Sequence, residues 1–70
     1  MTNLPPINSK WRHARSGGEY TVVTYAMIEA TLEPGVVYAG GHGYFHDGMR
    51  WTVWVRPASE FMDGRFIPIN

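Results

Sequence analysis

Arg50, Thr52, Trp54 and Arg56 occupy every second position of one short run, a spacing that puts all four on one side of an extended chain. Two guanidinium groups flanking an indole are suited to gripping an anion. The guanidinium forks onto a phosphate or carboxylate, and the ring offers a face on which a base can stack. A second basic group, Arg12 and Arg15, precedes Gly17-Gly18, a loop whose backbone N–H groups could form an anion-binding nest. If the two regions meet, they suit a nucleotide or a short acidic peptide. The same residues have a purely internal use. Arg beside Trp on a sheet face commonly makes a cation–π pair or an ion pair, here with Glu19, Glu29 or Glu60. His13 joins the group as a residue that pairs with a carboxylate or hydrogen-bonds the backbone. The candidate ligand-binding set is therefore Arg12, His13, Arg50, Trp54 and Arg56.

Catalytic and metal chemistry find less material. His42 and His46 lie four apart, but Gly40, Gly41 and Gly43 around His42 oppose a shared helical face, and spacing fixes no third ligand. No metal or cofactor is expected. Ser16 and Ser59 lack the strained elbow of a hydrolase nucleophile. Glu29 and Glu33 border a turn, and Asp47 and Asp63 precede Gly, where Asp already has a turn-forming role. Nothing brings two carboxylates together, and no catalytic residue is assigned. The phosphate-binding pattern Gly-x-x-x-x-Gly-Lys is absent.

The elements that must position these residues read mainly as short strands. Met1–Lys10, with Pro5-Pro6, reads as a flexible, poorly anchored arm, and a single small β domain follows over residues 11–70. Glu19–Met27 is rich in β-branched and aromatic residues and predicts a strand that can reach Ile28. Tyr20, Val22 and Thr24 fall on one face, Thr21, Val23 and Tyr25 on the other. A helix over Tyr25–Leu32 is the rival, limited to about two turns by Pro34-Gly35. Glu33-Pro34-Gly35 suits a type II turn, with Gly35–Ala39 as the returning strand. Asp47-Gly48 predicts a hairpin between Tyr44–His46 and Met49–Arg56. Within Met49–Val55 the alternation assigns Met49, Trp51, Val53 and Val55 to the core, and Pro57 ends the pairing. Ser59–Phe61 fits one helical turn, Asp63-Gly64 turns again, and Arg65–Ile69 closes the sheet as an edge strand blunted by Pro68. The expected fold is mainly β: a small, partly open, SH3-like barrel of four or five short antiparallel strands with one short helical turn.

Composition agrees with one domain and narrows its partners. Seventy residues cannot build two cores, and without Cys the core must come from aromatic packing, drawn from three Trp, four Tyr and three Phe. The lack of Cys also excludes thiol catalysis and thiolate metal sites. Six basic and six acidic residues give a formal net charge of zero, which removes the long-range pull toward nucleic acid or anionic membrane and mildly favours self-association. No apolar run approaches the roughly 20 residues of a membrane span, and the first ten residues do not read as a signal peptide. A cytoplasmic protein is the expectation.

Trp11-Arg12-His13, Glu19-Tyr20-Thr21-Val22, Thr31-Leu32-Glu33-Pro34, Val36-Val37-Tyr38 and Trp54-Val55-Arg56-Pro57 with Phe61 resemble the small bacterial and phage family called domain of unknown function 1653. Its members read approximately Tyr-Arg-His, Tyr-Glu-Val, Ser-Glu-Thr-Leu-Glu, Val-Val-Tyr and Trp-Val-Arg-Pro. The resemblance covers most of Trp11–Phe61 in order, and it implies a compact β-rich fold without implying an activity. Trp11 replaces Tyr, Glu29-Ala30 stands where the pattern has Ser-Glu, and Gly40–Thr52 is longer than the usual connection.

Three functions follow as expectations. The first is a non-enzymatic binding module for a protein partner or small anionic ligand, because aromatic and Arg residues dominate interface hot spots. The second is a nucleotide or single-stranded nucleic-acid binder, weak at zero net charge. The third is a phage or prophage accessory protein working as a homodimer through an exposed strand edge.

Overall fold

The computed structural model describes residues 4–40 and 52–69. Within them the chain forms β1 (Lys10–His13), β2 (Glu19–Ile28), β3 (Glu33–Gly40), β4 (Thr52–Pro57), α1 (Ala58–Phe61) and β5 (Phe66–Ile69). All pairings are antiparallel, in one five-stranded sheet of order β4-β3-β2-β1-β5. The fold is thus mainly β with one short helix, and the sheet is not closed: β4 and β5 share no ladder among the described residues. The expected hairpin strand Tyr44–His46, its Asp47-Gly48 turn, Met49, Arg50 and Trp51 lie outside the described residues.

The open sheet nonetheless curls until its two ends meet. In a flat sheet, four spacings of about 4.8 Å would put β4 and β5 roughly 19 Å apart. Instead the Arg56 guanidinium carbon of β4 lies 5.7 Å from the Phe66 ring centroid of β5, and Tyr38 of β3 meets the same ring edge-on at 5.3 Å. A β-bulge between Val22 and Thr24 contributes, because an extra residue on one strand bends it and steepens the local twist. Gly40 permits a second close approach. At φ +126 it is in a backbone region that side chains rarely adopt, and a Cβ there would stand 2.6 Å from the Glu19 carbonyl oxygen.

The core lies on the concave side under α1. Trp11, Val22, Val36, Tyr38, Ala58, Phe61 and Phe66 are buried together, with Tyr20 packed against them. Phe61 and Phe66 stack at 4.2 Å with their planes 10° apart. Trp11 and Tyr38 each meet Phe61 edge-to-face, at 5.3 and 5.2 Å. These are the offset and edge-on geometries that the ring quadrupole favours. Pro57, last in β4 and paired with Gly35, also stands at the N-cap of α1, so the strand stops where the helical turn expected at Ser59–Phe61 begins.

Four expectations need correction. Val53 and Val55 are not core: they are 50% and 57% exposed. Of the adjoining strand, Tyr38, opposite Trp54, and Val36, opposite Arg56, belong to the core cluster, whereas Ala39, opposite Val53, is buried outside it. Alternation separates two faces without saying which is covered, and α1 covers the one carrying Trp54 and Arg56.

The second correction concerns the turn after β2. It falls at residues 29–32, with Ile28 O accepting N–H bonds from Thr31 and Leu32 at 3.3 and 2.7 Å, and Leu32 taking the positive φ of 59. Glu33, Pro34 and Gly35 already belong to β3, paired with Ile28, Met27 and Ala26. Gly35 serves close packing rather than turn geometry, since a Cβ there would press at 3.1 Å on both Ile28 and Val55.

Third, the bulge at Val23 reverses the alternation beyond it. Tyr25 therefore pairs with buried Val36 on the core side and donates its hydroxyl to Pro5 O at 2.7 Å. Fourth, residues 4–10, the described part of the segment expected as a poorly anchored arm, are tied to the sheet. Pro5 is fully buried, Asn8 N–H donates to Val22 O, and Val22 N–H donates to Ser9 O. The Trp11 indole also donates to Ser9 Oγ at 2.8 Å, and Lys10 is already part of β1.

Candidate functional site

Where the ends of the sheet meet, two clefts share a wall made of His13 and Arg56. The larger, about 540 Å³, is lined by His13, Ala14, Arg15, Arg56 and Arg65. That volume is within the range of small-molecule sites. The smaller, about 200 Å³, adds Ser16 and the rings of Tyr20, Tyr38, Trp54 and Phe66. A basic compartment thus opens beside an aromatic one.

His13 ends β1 with its side chain inward, and the loop after it is held by its own hydrogen bonds. Gly17 N–H donates to His13 O and His13 N–H to Gly18 O, both at 2.8 Å. Ser16 N–H donates to His13 Nδ1 at 3.2 Å, and Ser16 Oγ lies 3.1 Å from the same nitrogen. Since Nδ1 accepts the backbone N–H, the network assigns the ring proton to Nε2, leaving Nδ1 to accept the Ser16 hydroxyl as well. Gly18 N–H in turn donates to Ser16 Oγ at 3.2 Å. The N–H groups of Ser16, Gly17 and Gly18 are therefore committed inside the loop. The anion nest expected there is used up by the loop itself.

Arg56 is the hub of the site. Its Nε donates to Tyr38 Oη over a long 3.4 Å, and one terminal nitrogen lies 3.3 Å from Glu60 Oε1 of α1, four residues on. Its guanidinium also lies over the Phe66 ring. The phenol oxygen accepting from Nε, aided by the nearby carboxylates of Glu60 and Asp63, raises the Arg56 pKa against partial desolvation, so the group stays cationic. The internal ion pair that the sequence allowed with Glu60 is thus formed. Trp54, 42% exposed, has its indole oriented by a bond from Nε1 to Gly40 O at 3.3 Å.

Arg65 completes the basic side. Its Nε bonds Asp63 Oδ2 at 2.9 Å and a terminal nitrogen lies 3.6 Å from Glu60. Asp63 Oδ1 also accepts the Arg65 N–H at 3.2 Å, closing the expected Asp63-Gly64 turn. Three guanidinium groups face two carboxylates, and Arg15 has no carboxylate partner among the described residues. Among the described residues the compartment thus carries one excess positive charge.

Of the five residues named from sequence, the structure brings together His13, Trp54 and Arg56. Arg12 does not join them. It is exposed, between inward-facing Trp11 and His13, and so projects from the opposite face. Arg50 lies outside the described residues, as do His42 and His46. Arg65 was not anticipated as a site residue, because nothing local in Arg65–Ile69 reveals that this strand ends up facing β4. Among the described residues there is no cluster of three or more His, Asp or Glu that could hold a metal ion, and no helix long and apolar enough to cross a membrane. A scan of protein-family models matches none, and searches of curated proteins and of solved structures return no significant match.

Proposed function

We propose that this domain is a binding module for a small anionic ligand, held in the cleft between Arg15, Arg56 and Arg65. The observation that carries the reading is the position of Arg56. It is tied to the core by Tyr38 and Phe66, tied to α1 by Glu60, and forms the common wall of both clefts. A guanidinium held on several sides loses less side-chain freedom on binding than a free surface arginine, which is how preorganisation raises affinity. Binding rather than turnover is supported by the use of Ser16. Its hydroxyl and backbone N–H brace the loop through His13 and Gly18, leaving the pair committed to structure. A cytoplasmic, bacterial or phage protein is the setting we propose, following the cysteine-free sequence and the resemblance described above.

The test is a two-dimensional NMR titration with inorganic pyrophosphate at low salt. Shifts confined to residues 13–16, 54–56 and 65, lost in Arg15→Glu, support the reading. Arg15 is exposed, so that variant retains the fold. Absence of shifts in the wild-type domain at millimolar pyrophosphate sinks it.

A second reading, self-association, is favoured by the exposed Val53 and Val55 on the outer face of β4, an edge strand among the described residues. Sedimentation at high protein concentration decides it, a monomer throughout removing the reading.

A further inference from the structure

We infer that the anion is the phosphate of a nucleotide, with the base stacked on Trp54. This deepens the anion-binding reading and rests on it. The two compartments make different chemical demands. The basic one supplies guanidinium N–H groups: among the described residues Arg15 has no carboxylate partner, and Arg56 commits two of its five N–H groups, to Tyr38 and Glu60. A phosphate dianion answers that demand, since it accepts several charge-assisted bonds at once.

In the other compartment Trp54 is the most exposed ring among the described residues, Tyr20 being partly buried against the core. Tyr38 and Phe66 are only 4% exposed and locked edge-to-face with each other, whereas Trp54 is 42% exposed with its plane set by the bond to Gly40. A flat, weakly polar group that stacks is what such a preset indole face takes.

The polar groups at the boundary between the compartments bear on which ligand owning both a ring and a phosphate fits. His13 and Arg56 stand at the boundary as the residues shared by the two clefts. The His13 Nε2–H is a donor in the tautomer fixed by Ser16. A polar spacer carrying hydroxyl oxygens fits that boundary, as the sugar of a nucleotide would. A phosphorylated aromatic side chain, with its phosphate directly on the ring, would leave the boundary donors unmet. An acidic peptide has no need of the indole.

The experiment follows the Trp54 indole N–H resonance, assigned with Trp54→Leu, during titrations with AMP, adenosine, inorganic phosphate, phosphotyrosine and a 5′-phosphorylated dinucleotide. Stacking of one base on a ring is worth roughly tenfold to a hundredfold in affinity. AMP is therefore expected to bind at least about tenfold tighter than inorganic phosphate and to move the Trp54 resonance. In Trp54→Leu that preference should vanish while phosphate affinity persists; circular dichroism and the Trp11 indole resonance verify the fold. The wild-type comparison of AMP with phosphate stands even if the variant does not fold. Tighter binding of the dinucleotide supports the same chemistry with a strand end as its source, and weaker binding supports a free nucleotide. AMP no tighter than phosphate, or phosphotyrosine tighter than AMP, overturns the nucleotide assignment and leaves the anion site standing. No response to any phosphate overturns both.

Discussion

Replacing Phe61 by Ala tests the core on which the site is built. Phe61 is fully buried, stacked on Phe66 and met edge-on by Trp11 and Tyr38. Truncating a buried Phe to Ala costs about 3–5 kcal/mol, the spread reflecting how far the cavity collapses. Three aromatic partners, each worth about 0.5–1.5 kcal/mol beyond area burial, place this case toward the upper end. A 70-residue chain at the usual 0.05–0.15 kcal/mol per residue has roughly 3.5–10 kcal/mol in all. Phe61→Ala should therefore be largely unfolded or left with about half its stability. Phe61→Leu, which keeps most of the volume but none of the stacking, should lose roughly 1.5 kcal/mol. Urea unfolding followed by tryptophan fluorescence and by far-ultraviolet circular dichroism measures both, with m-values compared to confirm that the cooperative unit is unchanged. A loss below about 1 kcal/mol for Phe61→Ala would mean that α1 is not seated on the sheet. The concave face, and the clefts above it, would then be misassigned.

Two further substitutions probe the face assignment and the turn. Val55→Thr should change stability by less than about 0.5 kcal/mol because the side chain faces outward, whereas Val36→Ala should cost about 2 kcal/mol; the reverse order in urea unfolding would restore the opposite face as the core. Leu32 is 73% exposed with φ 59, so Leu32→Gly removes about 1–2 kcal/mol of left-handed strain while giving back part of it as chain entropy. A melting temperature several degrees higher for Leu32→Gly, and lower for the β-branched Leu32→Val, is the expected calorimetric result, and equal melting temperatures would contradict that backbone geometry.

Strand identity was legible wherever β-branched and aromatic residues cluster. Glu19–Ile28 and the run ending in Trp54-Val55-Arg56 are strands for that reason, and so is the blunted edge containing Pro68. Three things were hidden because they depend on distant partners. The covered face of β4 is chosen by α1 and by the register with Tyr38, not by any residue within β4. The bulge at Val23 leaves no mark in composition, yet it carries Tyr25 over to the side where Pro5 waits. Pro34-Gly35 has the chemistry of a turn, but the pairing of Gly35 with Ala26 uses its missing side chain to admit Ile28 and Val55. For the site, His13, Trp54 and Arg56 could be named from residue type and spacing. Arg65 could not, since its approach to Glu60 arises only when the sheet curls.

The two ends of the sheet meet through side chains alone among the described residues: Arg56 of β4 lies over Phe66 of β5, Phe61 of α1 stacks on the same ring, and Arg65, just before β5, reaches Glu60 of α1. A closed barrel would have a row of backbone bonds along that line; among the described residues there is instead a clasp of packed rings, one cation and one shared carboxylate. Parting along that line breaks no strand pairing, but it pulls Phe66 away from Phe61 and Tyr38 as well as from Arg56, so the seam is held by the aromatic core itself. Because the proposed ligand cleft straddles the same line, an occupant that bridges Arg15, Arg56 and Arg65 would fasten the two rims together, slowing amide exchange at both ends of the sheet at once.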